Sequence, residues 1–164
     1  MKIYSGNNPA KQWMLEEIER LAAGQSIRVF DLGCGAGSVW PRFLQDHPEI
    51  VYVGIDTDEW SYINSLENAE RNDLAGDIYF LHGSLEAVTG PFDVILSNLT
   101  KNDNTRLMDR FPALLSPFGR LALSGFYTGD CDDITRAAAQ HSFVVVDAAH
   151  EDEWSALLLQ RSRA

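Results

Sequence analysis

Short apolar runs rich in β-branched residues alternate with longer segments whose apolar positions recur every three to four residues, and the alternation runs along most of the chain. Met14, Leu15, Ile18, Leu21 and Ala22 share one face of a helix that Asn8 can cap, Pro9 can open and Gly24 stops. Ile27 to Leu32 reads as a strand, Val39 to Gln45 as a short helix ending before His47-Pro48, and Ile50 to Ile55 as a second strand. Asp58 is placed to cap a helix that carries Trp60, Ile63, Leu66 and Ala69 inward and Glu67, Glu70 and Arg71 outward, closing at Asn72. Strands follow at Ile78 to Leu81 and, after the turn Gly90-Pro91, at Phe92 to Ser97, with Asn98 at its end. The spacing then predicts a helix over Thr105 to Leu115, a turn at Ser116-Pro117-Phe118-Gly119, a strand over Arg120 to Ser124 and a helix over Asp130 to Gln140.

Phe143 to Asp147 and Trp154 to Gln160 follow with no helix between them, joined by the acidic stretch His150-Glu151-Asp152-Glu153. Two strands so connected form a hairpin, which puts one antiparallel strand into an otherwise parallel sheet. The whole pattern predicts an α/β chain: a Rossmann-like, doubly wound, mostly parallel sheet in three αβα layers, with a C-terminal antiparallel hairpin strand. No internal repeat or low-complexity tract interrupts it.

Candidate chemistry collects where the first strand ends, in Val29-Phe30-Asp31-Leu32-Gly33-Cys34-Gly35-Ala36-Gly37-Ser38. Three alternate glycines behind an acid allow a tight turn whose backbone lies directly against a ligand. A phosphate there would meet the Asp31 carboxylate at a cost of about 4 kcal/mol per charge pair at ~4 Å and an effective dielectric near 20. The same carboxylate favours an ammonium, and a ligand combining an α-amino group with a nucleoside, S-adenosylmethionine, fits that preference. A second apolar run ends in Asp56, about 25 residues on, close to the spacing of about 20 at which a carboxylate accepts from ribose hydroxyls.

Composition narrows the partners. The chain has 164 residues, 45% of them hydrophobic, enough for one domain over 1–164 with residues 1–8 as a lead-in and no separate substrate-capture domain. A formal net charge of −11 argues against a nucleic-acid surface and suits a basic protein or a small amine. Cys34 and Cys131 are too few for a disulfide framework, no apolar run reaches bilayer length, no leader is expected, and a cytoplasmic location is expected; no metal site is expected. Oligomeric state is left open.

Asp31-Leu32-Gly33-Cys34-Gly35-Ala36-Gly37, Gly54-Ile55-Asp56, Glu67-Asn68-Ala69-Glu70-Arg71-Asn72, Leu123-Ser124-Gly125 and Glu153-Trp154-Ser155-Ala156-Leu157 together resemble class I S-adenosylmethionine-dependent methyltransferases. Within that class they resemble the catalytic domain of the bacterial lysine methyltransferases that modify large-subunit ribosomal protein eleven, over about residues 9 to 160. The resemblance implies S-adenosyl-L-methionine as cofactor. It would be held by Asp31, Gly33, Cys34, Gly35 and Gly37, by Asp56 and Thr57 after the second strand, and by Ser84 and Leu85 after the third. It also implies N-methylation of an amine by in-line displacement, with Asn98 touching the cofactor and serving as the catalytic acceptor group. Three departures stand out: Ser84 takes the place of an acid, Leu99-Thr100 follows Asn98 where two prolines are usual, and Ser5-Gly6-Asn7-Asn8-Pro9 lacks the histidine of that family's leading segment. A small-molecule methyltransferase and a catalytically weak cofactor-binding module stay open as alternatives. His82 is read as structural, and Trp13, Trp40, Trp60 and Trp154 as core.

Overall fold

Pro9 opens the first helix, α1 (Pro9–Ala22), and the buried side chains Met14, Leu15, Ile18 and Ala22 lie along the face that the apolar spacing predicts. The computed structural model describes residues 9–38, 40–74 and 78–162; the Asn8 cap, the Ser5 to Asn8 segment and Val39 lie outside them. Two compact units divide the chain, residues 1–89 and residues 90–164.

In the first unit, α1 is followed by β1 (Ile27–Leu32), α2 (Trp40–Asp46), β2 (Ile50–Asp56), α3 (Glu59–Arg71), β3 (Ile78–His82) and a 3-10 turn at Leu85–Ala87. β1 pairs with β2 in parallel from Ile27↔Ile50 to Leu32↔Ile55, and β2 with β3 in parallel from Tyr52↔Ile78 to Asp56↔His82. All three strands therefore end together, and Asp31, Asp56 and His82 arrive at that end. Val29, Phe30, Phe43, Tyr52 and Ile55 are fully buried beneath it.

α3 departs from its expected facing. Asp58 caps it, accepting from the Ser61 amide at 2.7 Å, as its sequence position predicts. Of the residues expected inward, Ala69 is buried, but Trp60 is 71% exposed and Leu66 43% exposed, and the other buried residue is Ser65. The reason is the surface it meets: Asn68 reaches the Ala36 carbonyl and Ser65 lies beside Gly37, so small and polar side chains fit there and large apolar ones do not.

The second unit runs β4 (Phe92–Asn98), α4 (Lys101–Arg106), α5 (Phe111–Leu114), β5 (Leu115–Tyr127), a 3-10 turn at Thr128–Asp130, α6 (Cys131–Gln140), β6 (Phe143–Glu151) and β7 (Trp154–Arg161). Its strand order is β4-β5-β7-β6, with β4 and β5 parallel and β7 antiparallel to both neighbours. β7 is thus the antiparallel strand that the hairpin predicts, and the seven strands of the described residues make a mixed α/β fold of the Rossmann-like class.

Several predicted boundaries move, β6 among them, which runs past Asp147 to Glu151. The helix expected over Thr105 to Leu115 is two short helices, because Pro112 sits at the start of α5, where its missing N–H starts a helix more readily than it continues one. The turn expected at Ser116 to Gly119 lies inside β5, as extra residues between the pairs Phe92↔Leu115 and Val94↔Arg120. β5 then continues past Ser124 to Tyr127, where Tyr127 pairs with Trp154. Trp154 is 46% exposed, its ring tilted against that of Tyr127 at 4.6 Å, so it is a surface aromatic and not the core residue expected. No helix among the described residues is long and apolar enough to cross a membrane.

Candidate active site

The glycine turn after β1 is pinned to β2 by backbone bonds: the amides of Gly33 and Cys34 both donate to the Ile55 carbonyl, at 2.9 and 3.1 Å. Gly37, at φ +63°, is required twice over, since a Cβ there would stand 2.9 Å from the Phe80 ring. Gly35 differs. A Cβ at Gly35 would meet nothing within 4 Å, so the turn is open at its middle glycine.

The second carboxylate holds this turn directly. Asp56 accepts from the Gly35 amide at 2.8 Å through one oxygen and from the Asp58 amide at 2.9 Å through the other. An ionised carboxylate has about four lone-pair sites, so these two bonds leave acceptor capacity at the open side of the turn. Asp31 is oriented from behind, one of its oxygens accepting from Tyr52 Oη at 2.7 Å and from Trp40 Nε1 at 2.9 Å. Trp40 is therefore core, as expected, and also an orienting donor, which its apolar spacing in α2 does not disclose. Asn68 is the other supporting residue missed: its Nδ2 donates to the Ala36 carbonyl at 2.8 Å, and the only sequence sign was its place in the Glu67 to Asn72 segment.

Cys34 is enclosed by this arrangement. Its sulfur occupies the room that Gly54 leaves, where a Cβ would come within 2.9 Å of Sγ. Burial pushes the Cys34 thiol far up, and the charges of Asp31 and Asp56 push it further, so it packs as a neutral thiol. The same two charges make the turn a region of negative potential, which favours a cationic ligand group.

At the end of β3 the chain returns to the same place, the Gly83 amide donating to the Asp56 carbonyl at 2.9 Å. His82 Nε2 lies 3.2 Å from the Thr57 carbonyl and its ring stacks on Tyr62 at 5.8 Å, so His82 ties the exposed Thr57 to β3 and has the structural role expected. Ser84 is exposed and its hydroxyl donates to the Glu86 carboxylate, while Leu85 is buried at 5% exposure. The first unit thus brings together Asp31, the glycine turn, Asp56 and Gly83. These residues suit the ammonium and ribose of S-adenosylmethionine: an open glycine backbone, two carboxylates and spare acceptor sites.

Asn98 belongs to the second unit, exposed at the end of β4, where its Oδ1 accepts from Ser124 Oγ at 2.9 Å. The loop after it is clamped by the buried Asn104, which sequence reasoning did not single out. Asn104 Nδ2 donates to the carbonyls of Leu99 and Ser124 at 2.8 and 3.1 Å, and its Oδ1 accepts from Ser97 Oγ at 2.7 Å. Gly125, φ +90°, lets β5 pass the same loop, since a Cβ there would stand 2.6 Å from the Leu99 carbonyl oxygen.

A Rossmann-like α/β fold with an acid-flanked glycine turn and a second acid at the next strand end defines the class of S-adenosylmethionine-dependent methyltransferases. The family model described as Ribosomal protein L11 methyltransferase (PrmA) matches residues 4–162, and the chain belongs to that family. Among curated relatives, the ribosomal protein L11 methyltransferase of Bacteroides fragilis is 32% identical over 146 residues, covering 87% of this chain and 50% of that protein. The chain spans about half the length of the curated relatives it matches. Among solved structures, the ribosomal protein L11 methylase of Lactobacillus delbrueckii subsp. bulgaricus superimposes with a TM-score of 0.83 at 26% identity, covering 97% of this chain and 81% of that one. A methyltransferase from Thiobacillus denitrificans, solved in complex with S-adenosyl-L-homocysteine, has the same fold at a TM-score of 0.72 and 17% identity, covering 97% of this chain and 94% of that one.

Proposed function

We propose that this chain methylates an amine of a basic protein, ribosomal protein L11 being the substrate its relatives' names suggest, with S-adenosylmethionine bound on the first unit. The observation that carries the cofactor reading is the bond from the Gly35 amide to Asp56. It sets a carboxylate with free lone pairs beside open glycine backbone, an arrangement suited to ribose hydroxyls. Asp31, oriented by Trp40 and Tyr52, is the group for the ligand's ammonium. Gly33, Cys34 and Gly37 shape the turn, and Thr57, Ser84 and Leu85 follow the two strand ends where the nucleoside would lie.

The cofactor supplies a methyl group already activated on a sulfonium, so the protein's share of the catalysis is mainly positioning and exclusion of water. A lysine amine must arrive without its extra proton, and the lone pair then exposed needs orienting acceptors. Asn98 is assigned that role. Its carboxamide oxygen, already fixed by Ser124 Oγ, keeps a second lone pair for an amine N–H. Asn104 and Gly125 hold the loop carrying it and act as positioning residues. A surface of net charge −11 favours a basic protein acceptor over a nucleic acid.

The test is incubation of the chain with methyl-labelled S-adenosylmethionine and purified ribosomal protein L11, with acid hydrolysis of the product. Label recovered in methylated lysine or an α-amine is the expected result. Label passing only to small amines, or to no acceptor while the cofactor still binds, overturns the protein-amine assignment.

A further inference from the structure

We propose that a second pocket, built from the start of regular pairing in β5 and the end of β7, binds a small phosphate monoester with a planar ring, a nucleoside monophosphate being the size that fits. Its lining is Pro117, Phe118, Arg120, Gln160, Arg161 and Ser162, around a volume of about 310 Å³. That is near the lower end of small-molecule sites, about 300 Å³. Among the described residues the lining holds two arginines and no carboxylate.

Several arginines of this acidic chain are neutralised locally: Arg71 by Glu67, Arg106 by Asp103 and Arg136 by Asp133. Among the described residues neither Arg120 nor Arg161 has a carboxylate partner within ion-pair distance. Arg120 is also held in place. One terminal nitrogen donates to the Phe118 carbonyl at 2.9 Å, while its Nε is buried with no hydrogen-bond partner among the described residues. Its backbone is in register with Gln160, on a paired strand that cannot swing away. A guanidinium so fixed, with Arg161 also on the lining, presents forked donors of the kind that phosphate oxygens accept in pairs.

The ring preference comes from Phe118. The extra residues Ser116 to Gly119 in β5 carry its side chain to 83% exposure. An aromatic face at the rim of an arginine pocket suits the base of a nucleotide, which can stack on it whichever base it is. The pocket is separate from Asn98. Along β4 and β5, Val94↔Arg120 and Asn98↔Ser124 are four residues apart in register, roughly 13 Å at ~3.3 Å per residue.

Uridine 5′-monophosphate is the probe, titrated calorimetrically into the chain with and without saturating S-adenosylhomocysteine. The expected result is one site whose affinity is unchanged by S-adenosylhomocysteine, weakened about tenfold or more by Arg120→Gln and by Arg161→Gln. Phe118→Ala should weaken the nucleotide and leave inorganic phosphate binding as it was. Arg161 is exposed at the strand end, so Arg161→Gln keeps the test valid even where Arg120→Gln lowers stability. Absence of binding, displacement by S-adenosylhomocysteine, equal binding of uridine without its phosphate, or unaltered affinity in Arg161→Gln each overturns the proposal.

Discussion

The side-chain amide of Asn68 donates to the backbone carbonyl of Ala36 at 2.8 Å, so a residue on α3 fixes the glycine turn after β1. Asn68→Ala should therefore loosen the turn without touching a ligand. A lost part-buried bond of this kind costs about 1 kcal/mol, roughly fivefold in affinity for S-adenosylhomocysteine. Titration calorimetry beside a thermal melt checks it, and an unchanged affinity would show that the turn holds its shape without Asn68.

Asp56→Ala removes both the proposed ribose acceptor and the partner of the Gly35 amide. The expected loss of cofactor affinity is on the order of 1 to 3 kcal/mol. Cofactor affinity in that variant equal to the parent's would take Asp56 out of the site.

Gly35 and Gly37 have similar positive φ and opposite surroundings. Gly37→Ala puts a methyl group against the Phe80 ring, so it should cost about 2 kcal/mol of folding stability or more. Gly35→Ala meets open space and should cost only the left-handed strain of about 1 kcal/mol, yet fill the space a ligand needs. Urea unfolding and cofactor titration of the two variants should separate them, the first losing mainly stability and the second mainly binding.

Cys34 and Tyr52 give the chain an alkaline weakness. Burial raises both groups, with Asp31 adding to each and Asp56 to Cys34. Both are neutral when protonated and hold their protons more tightly folded than unfolded. The stability they contribute is whole below the ordinary thiol value of 9.0 and declines as pH climbs past it, Tyr52 joining above 10.0. Each group contributes up to about 1.4 kcal/mol per pH unit. Urea midpoints at stepped pH should fall from pH 9 upward, Cys34→Ser flattening the first part of the fall and Tyr52→Phe the later part.

Asn98→Ala should slow methyl transfer by about a hundredfold, with a far smaller effect on cofactor affinity and a modest fall in melting temperature because the buried Ser124 hydroxyl loses its acceptor. Asn104→Ala should do more. It strands the Leu99 and Ser124 carbonyls and the Ser97 hydroxyl in a buried place, a loss of about 3 kcal/mol in unfolding free energy together with the rate. Single-turnover rates and denaturant titrations on the pair distinguish alignment from support.

The residues whose type answers a local rule could be read from sequence: β1 and β2 as apolar runs closed by a turn or an acid, Asp58 as a cap, and β7 as the reversed strand. Residues whose environment is set by distant chain could not. Asn104 lies in the polar run Lys101 to Arg106, where nothing marks one member as buried. Trp60 and Leu66 have the right spacing for a core face, but of that face α3 buries Ala69 and leaves these two exposed, because its inner side must accommodate Gly37 and Ala36. Trp40 was legible as core from its volume and spacing, while its bond to Asp31 depends on where β1 lies relative to α2.

β7 stands between β5 and β6 in the second unit, hydrogen-bonded to both. During synthesis β5 and β6 leave the ribosome before the strand that must separate them, so that unit cannot close until residues 154–161 have cleared the exit tunnel. Until then β5 exposes an unpaired apolar edge, and a ribosome stalled short of Trp154 would hold a nascent chain prone to pairing with whatever strand is nearest.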